Sequence, residues 1–356
     1  MLAFVLILVL LTRDTGTEIA ADVSATEAPS TTSQAATSST SEATEPGSTT
    51  VTTGATATTS STSPPTTSGP TAFPTVDAFP TVDASPTTDT GARIAFVSSQ
   101  SGTNADIYVM DASGLDITRL TTDPVGDSSP AWSPDGTRIA FHSTRDGNGE
   151  IYVMDASGLN VARLTNDPAN DRYPAWSPDG TRIAFQSDRD GNGEIYVMDA
   201  SGLNVTNLTN HPAQDNRPAW SPDGTRIAFH SVRFGDSDIF VIDTSGLNLI
   251  RLTSSAAVDF DPTWSPDGLH LAFVSRSDFD DDIYVINASN LNVTRLTVDP
   301  GQDLRPAWSP DGTRIAFDST RDGNVKIYLI DASGLNLTRL TNNPRSDSAP
   351  TWSPIP

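Results

Sequence analysis

From residue 93 onward the apolar residues come in short runs, rich in Ile, Val, Phe and Tyr, and each run is bounded by a turn signal. In one unit the runs are Ile183-Ala184-Phe185 and Ile195-Tyr196-Val197-Met198, and the turns are Pro178-Asp179-Gly180, Asp190-Gly191-Asn192 and Ser201-Gly202. Short β-branched and aromatic runs between such turns predict strands. No window carries the i, i+3, i+4 stripe of a helix. All six tryptophans, Trp132, Trp176, Trp220, Trp264, Trp308 and Trp352, stand 44 residues apart. Four strands of about five residues, with three turns and a connection, fill that period, which is the size of a propeller blade. The series begins at a second strand, Arg93-Ile94-Ala95-Phe96, and ends on a first strand, Pro350-Thr351-Trp352-Ser353. The expected fold is therefore all-β: a six-bladed β-propeller over residues 92–356 with four-stranded blades, its ring closed by the C-terminal strand.

The chain before the repeats is of another kind. Residues 2–11 (LAFVLILVLL) are uniformly apolar. As a helix they would span about 15 Å at 1.5 Å per residue, half of a bilayer core, so no transmembrane span is expected. Their length fits the centre of a secretory signal over residues 1–20, with small residues Ala20 and Ala21 at its end, although no basic residue precedes the run. The other reading is a mis-assigned start on a cytoplasmic protein. Residues 21–91 collapse to Thr, Ser, Ala and Pro, with no hydrophobic period to offset ordering entropy, which predicts a disordered linker. Together the two segments place the expected protein outside the cell or in the cell envelope or periplasm.

Composition removes whole classes. With no cysteine, disulfide frameworks, zinc ribbons and thiol nucleophiles are excluded. A net charge of -23, with a single lysine, Lys326, among 21 basic residues, argues against a nucleic-acid partner. A protein or peptide partner and a monomeric propeller are expected instead.

The unit Pro174-Ala175-Trp176-Ser177-Pro178-Asp179-Gly180, followed by Ile183-Ala184-Phe185 and Ile195-Tyr196-Val197-Met198-Asp199, resembles the blade signature of the TolB-like, WD40-like six-bladed propellers, a PD40-type repeat. The resemblance covers about residues 92–356 and recurs six times. It implies the fold. TolB proper carries an N-terminal α/β domain and acts in the periplasm with an envelope lipoprotein, whereas this chain has a Thr/Ser stalk in that place. Similar propellers also precede α/β-hydrolase domains in some peptidases.

Comparing the six copies separates scaffold from candidate site. Positions alike in every copy read as structure: tryptophans between blades and Ser-Pro-Asp-Gly turns. Because strands alternate in direction, the second-to-third-strand loops and the blade connections share one face, and that face varies. On it, five residues before each tryptophan, stand Asp127, Asp171, Asp215, Asp259, Asp303 and Asp347. They are read either as Asx-type caps or as a ring at the channel mouth that takes a cation or a basic peptide. The differing residues beside them, Arg172, Tyr173, Asn216, Arg217, Phe260, Asp261, Leu304 and Arg305, together with Phe234, are the expected partner-binding set. Phe234, Asp236, Asp238, Phe260, Asp261, Phe279, Asp280, Asp281 and Asp282 read as an acidic patch with exposed aromatics, suited to a Lys- or Arg-bearing partner. Asp188, Asp190 and Asn192 match the opening of a calcium loop without its helices, so that loop is either a hairpin turn or a weak calcium site. No phosphate loop, His-Glu-x-x-His or Gly-x-Ser-x-Gly motif is present. The expectation is a non-catalytic binding or scaffold propeller with no cofactor, recognising its partner directly or through a bridging cation. The alternative is a metal-dependent lyase or hydrolase acting on an oligosaccharide or peptide.

Overall fold

The computed structural model of the protein describes residues 91–102, 104–277 and 280–355. The expected signal, the linker up to residue 90, and Phe279 lie outside the described residues. Within them, 24 strands form six four-stranded antiparallel sheets. Five sheets run in sequence order; the sixth joins Asp347–Trp352 to Arg93–Ser98, Asp106–Asp111 and Thr118–Arg119. The pairing Ile94 with Trp352 and Ser98 with Asp347 closes the ring as the repeat phase predicts.

The middle strands explain the unbroken apolar runs. Arg182–Ser187 and Glu194–Asp199 are buried on both faces, because each blade is covered by its two neighbours. The apolar clusters cross the blade boundaries: Ala184 and Ile195 of one blade pack with Trp220, Ile227, Phe229 and Phe240 of the next. The tryptophans are buried at these seams. The Arg182 guanidinium lies 4.7 Å over the Trp220 ring, and the Trp220 Nε1–H donates to the Ala175 carbonyl at 3.1 Å.

The repeated turn is held by side chains. Ser177 Oγ donates to Asp179 Oδ1 (2.6 Å) and accepts from the Arg182 N–H (2.9 Å). Asp179 also accepts from the Thr181 N–H at 3.0 Å, and these bonds hold its carboxyl down at about 2. Gly180 takes the left-handed corner at φ 68°, where a side chain would be strained. First strands of successive blades touch one another around the ring and are therefore innermost.

Candidate functional site

The six aspartates expected at the channel mouth lie inside the blades. None is more than 2% exposed. Four are met by arginines that return from the second-to-third-strand loop of the same blade: Arg145 to Asp127 (2.7 Å), Arg189 to Asp171 (2.9 Å), Arg233 to Asp215 (2.7 Å) and Arg321 to Asp303 (2.8 Å). Asp347 is met by the Ser98 hydroxyl (2.6 Å) and by Lys326 (3.4 Å). Burial pushes the carboxyls of Asp171, Asp259 and Asp303 upward, against bonds from Ser187, Ser275 and Ser319. These groups are structural counter-charges. A mouth ring would need them solvated or open to a cation, whereas all six are buried, four of them under loop arginines, and Asp259 has no ion pair among the described residues.

Four acids of the acidic patch are likewise neutralised, while Asp236 stays exposed. Asp238 pairs with Arg251 (2.7 Å), Asp281 with Arg276 (2.7 Å), Asp282 with Arg295 (2.6 Å) and Asp261 with Arg217 (2.8 Å). All four acids are buried. Phe234 is exposed (64%), stacked on Phe240 and under Arg251. Phe260 and Leu304 pack against the core between blades. The calcium-loop set is split three ways. Asp188 faces Arg172 (3.3 Å), Asp190 accepts from the Tyr196 hydroxyl and Asn207 (2.9 Å), and the Asn192 amide donates to the carbonyls of His211 (2.9 Å) and Ala213 (3.1 Å). The loop is a hairpin turn, closed by the Gly191 N–H on the Asp188 carbonyl at 3.0 Å. Among the described residues, no group of three or more His, Asp or Glu side chains is placed to hold a metal.

What the structure does bring together is the residue three before each tryptophan. Every inner strand carries a register shift there. Ser129, Tyr173, Arg217, Asp261, Arg305 and Ala349 all adopt left-handed backbone with φ of 52–55°. That conformation costs a non-glycine residue about 1–2 kcal/mol. A bulge re-aims its side chain, and all six residues line a single cavity of about 340 Å³ on the axis. Its floor is the prolines and small residues that follow, with the tryptophans beneath. Hydroxyl, phenol, guanidinium, carboxylate, guanidinium and methyl thus succeed one another around a ring whose backbone is sixfold uniform.

The chain matches PD40, the TolB beta propeller domain family, over residues 71–173, 166–261 and 254–355. It belongs to that family. Among solved structures, TolB from Acinetobacter baumannii is similar with a TM-score of 0.67 at 27% identity, covering 75% of this chain and 68% of that one. A putative TolB from Agrobacterium tumefaciens (TM-score 0.59, 23% identity, 70% and 88% covered) and the Kuenenia stuttgartiensis hydrazine synthase (0.62, 15%, 74% and 47%) share the fold. The uncharacterized peptidase YuxL of Bacillus subtilis (strain 168) is 43% identical over 49 residues, 14% of this chain and 8% of that protein's length. The chain therefore spans a small part of that curated relative.

In this TolB-family propeller the axial ring is backed by a second, sequence-variable position in the second strand: Val97, His142, Gln186, His230, Val274 and Asp318. Arg217 binds Asp261 and lies 4.2 Å over the Tyr173 ring. Arg305 reaches Asp318 at 3.2 Å, and Asp318 also accepts from the Ala349 N–H at 3.0 Å. Burial pushes Asp318 up to about 6, with the Asp261 charge adding and Arg305, the Ala349 N–H and Arg217 opposing. Burial pushes His142 and His230 down to about 4, with Arg172 adding at His142 and the Asp261 charge opposing and Arg217 adding at His230, so both are neutral at pH 7. Sequence reasoning missed Ser129 and Ala349, and it did not place the second-strand position behind the axial ring. The signal was there, since the position after the invariant Ile-Ala-Phe or its variant differs from copy to copy.

Proposed function

We propose that this TolB-family propeller is a non-catalytic binding module of the cell envelope or extracellular space, acting as a monomer and taking a protein or peptide segment at the axial mouth. The supporting observation is the ring itself. Six strained backbone positions are held alike while their side chains differ, and strain kept at a cavity points to a selective surface rather than to packing. The mouth offers paired charges, a phenol and hydroxyls, which suits a polar segment whose own charges and donors can be matched. The envelope location draws on the resemblance to TolB proper and on the leader-like apolar run. Among the described residues no helix is long and apolar enough to cross a membrane.

The test narrows the mouth without disturbing an ion pair. Tyr173 already occupies the left-handed position in one blade, so Ser129→Tyr with Ala349→Tyr fits the scaffold. Pull-down from the source organism's envelope with wild-type chain as bait should retain a partner that the double variant loses, while both melt at the same temperature. A partner retained by the variant would move the binding site off the axis.

A further inference from the structure

Beside the axial cavity, and sharing Tyr173 with it as the one common lining residue, lies a second cavity of about 450 Å³ between the Trp176 and Trp220 blades. Four amide side chains line it, Gln186, Asn192, Gln214 and Asn216, together with Arg172, Asp188 and Tyr173. Gln186 is 5% exposed, and its side-chain oxygen is buried without a hydrogen-bond partner within the chain. An unpaired buried amide oxygen costs about 1–3 kcal/mol, so the position calls for an explanation.

Internal comparison sharpens the point. In the other blades the equivalent side chain is apolar, Val97 and Val274, or bonded through at least one atom: His142 Nδ1 to the Ser128 hydroxyl (2.7 Å), with its Nε2 buried and unpaired, His230 to the Asp261 N–H (3.4 Å), Asp318 to Arg305. Gln186 stands opposite Arg172 in the ladder, but that arginine is engaged with Asp188 at 3.3 Å. Gly193 keeps the space clear, as Gly149 does beside His142 in the preceding blade. A Cβ at Gly193 would meet Gln186 Nε2 at 2.9 Å and Asn216 Oδ1 at 3.4 Å.

The lining states what would fit. The one arginine and one aspartate cancel, so neither an anion nor a cation is favoured. Amides donate and accept from the same group, which suits a ligand whose groups also do both. The volume lies within the range of about 300–1,000 Å³ typical of small-molecule sites. We propose that this cavity binds a neutral saccharide, a mono- or disaccharide unit whose vicinal hydroxyls bridge Gln186 and Asn216. The Arg172–Asp188 pair is closed on itself at 3.3 Å, which leaves the four amides and the Tyr173 ring, a combination that matches hydroxyls and a sugar face better than a peptide's charged side chains.

The full chain is titrated with maltose, cellobiose, lactose and diacetylchitobiose, and with a capped Ala-Ser tetrapeptide, by saturation-transfer NMR and calorimetry. At least one sugar should bind in the millimolar range. Gln186→Leu should weaken it at least about tenfold, or 1.4 kcal/mol, without lowering the melting temperature, because valine is accepted at the same position in two blades. Gly193→Ala should act in the same direction. The Ser129→Tyr/Ala349→Tyr variant should leave sugar binding unchanged, which separates this site from the axial one. Silence from all four sugars, equal binding by the Gln186 variant, or binding of the peptide alone would overturn the proposal.

Discussion

His142 and His230 occupy one second-strand position two blades apart, and burial holds both down at about 4. Between pH 4 and the ordinary value near 6.5, the unfolded chain therefore binds more protons than the native one. Their stabilising contribution is complete above about pH 6.5 and is lost as pH falls toward 4. Asp318 acts in the opposite sense. Pushed up to about 6, it keeps a proton that the unfolded chain has released, so stability falls as pH rises from about 4 to 6. Two histidines outweigh one aspartate, and the net expectation is loss on mild acidification. Glutamine stands at the same position in a third blade, as Gln186, so His142→Gln with His230→Gln preserves the scaffold. The fall in Tm between pH 7 and pH 4.5 should shrink by at least about 5 °C in the double variant, taking about 2–4 °C per kcal/mol. An unchanged slope would place the acid sensitivity in other groups.

At the scale of the strand, the residue just before the third strand's first isoleucine shows how neighbouring blades compensate. Asp106, Glu150, Asp238 and Asp282 each face an arginine of the fourth strand: Arg119 (2.9 Å), Arg163 (2.6 Å), Arg251 (2.7 Å) and Arg295 (2.6 Å). In the Trp308 blade that position is Lys326, fully buried, which turns to Asp347 of the closing blade while Arg339 takes Asp322 at 3.0 Å. The reason lies one blade on, where Gln100 stands in place of the loop arginine that serves Asp127, Asp171, Asp215 and Asp303. Lys326→Met should leave a buried carboxylate uncompensated and destabilise the chain by about 3–5 kcal/mol. Adding Asp347→Asn should recover most of that loss. Urea denaturation of the two single variants and the double measures the coupling, and additive losses would mean that the lysine does not serve Asp347.

For the whole molecule the decisive element is Asp347–Trp352, which completes the sheet begun by Arg93–Ser98. Its Trp352 also covers Ala316, Ile327, Leu329 and Leu340 of the preceding blade. Removing residues 345–356 opens the ring, bares a sheet edge and uncovers that apolar face at once. The truncated chain should lose its cooperative melt and associate, and a synthetic peptide of residues 345–356 added in trans should restore the transition by strand addition. A truncated chain that melts like the parent would show that closure is dispensable.

Blade number, strand order and ring closure were all legible in the sequence, because a 44-residue period repeats one local pattern and local pattern is what sequence carries. The buried tryptophan seams followed from the same repetition. The site was legible only in part: Tyr173, Arg217, Asp261 and Arg305 stood out as varying, while Ser129 and Ala349 did not, since a small residue at a varying position looks like filler. Two things were decided by the tertiary structure alone. One is the fate of the charges, because the cations that neutralise the aspartates come from loops 18 residues away or from the preceding blade. The other is direction: a bulge with left-handed backbone turns six unlike side chains onto one axis, and a pattern of alternating faces cannot announce the point where the alternation breaks.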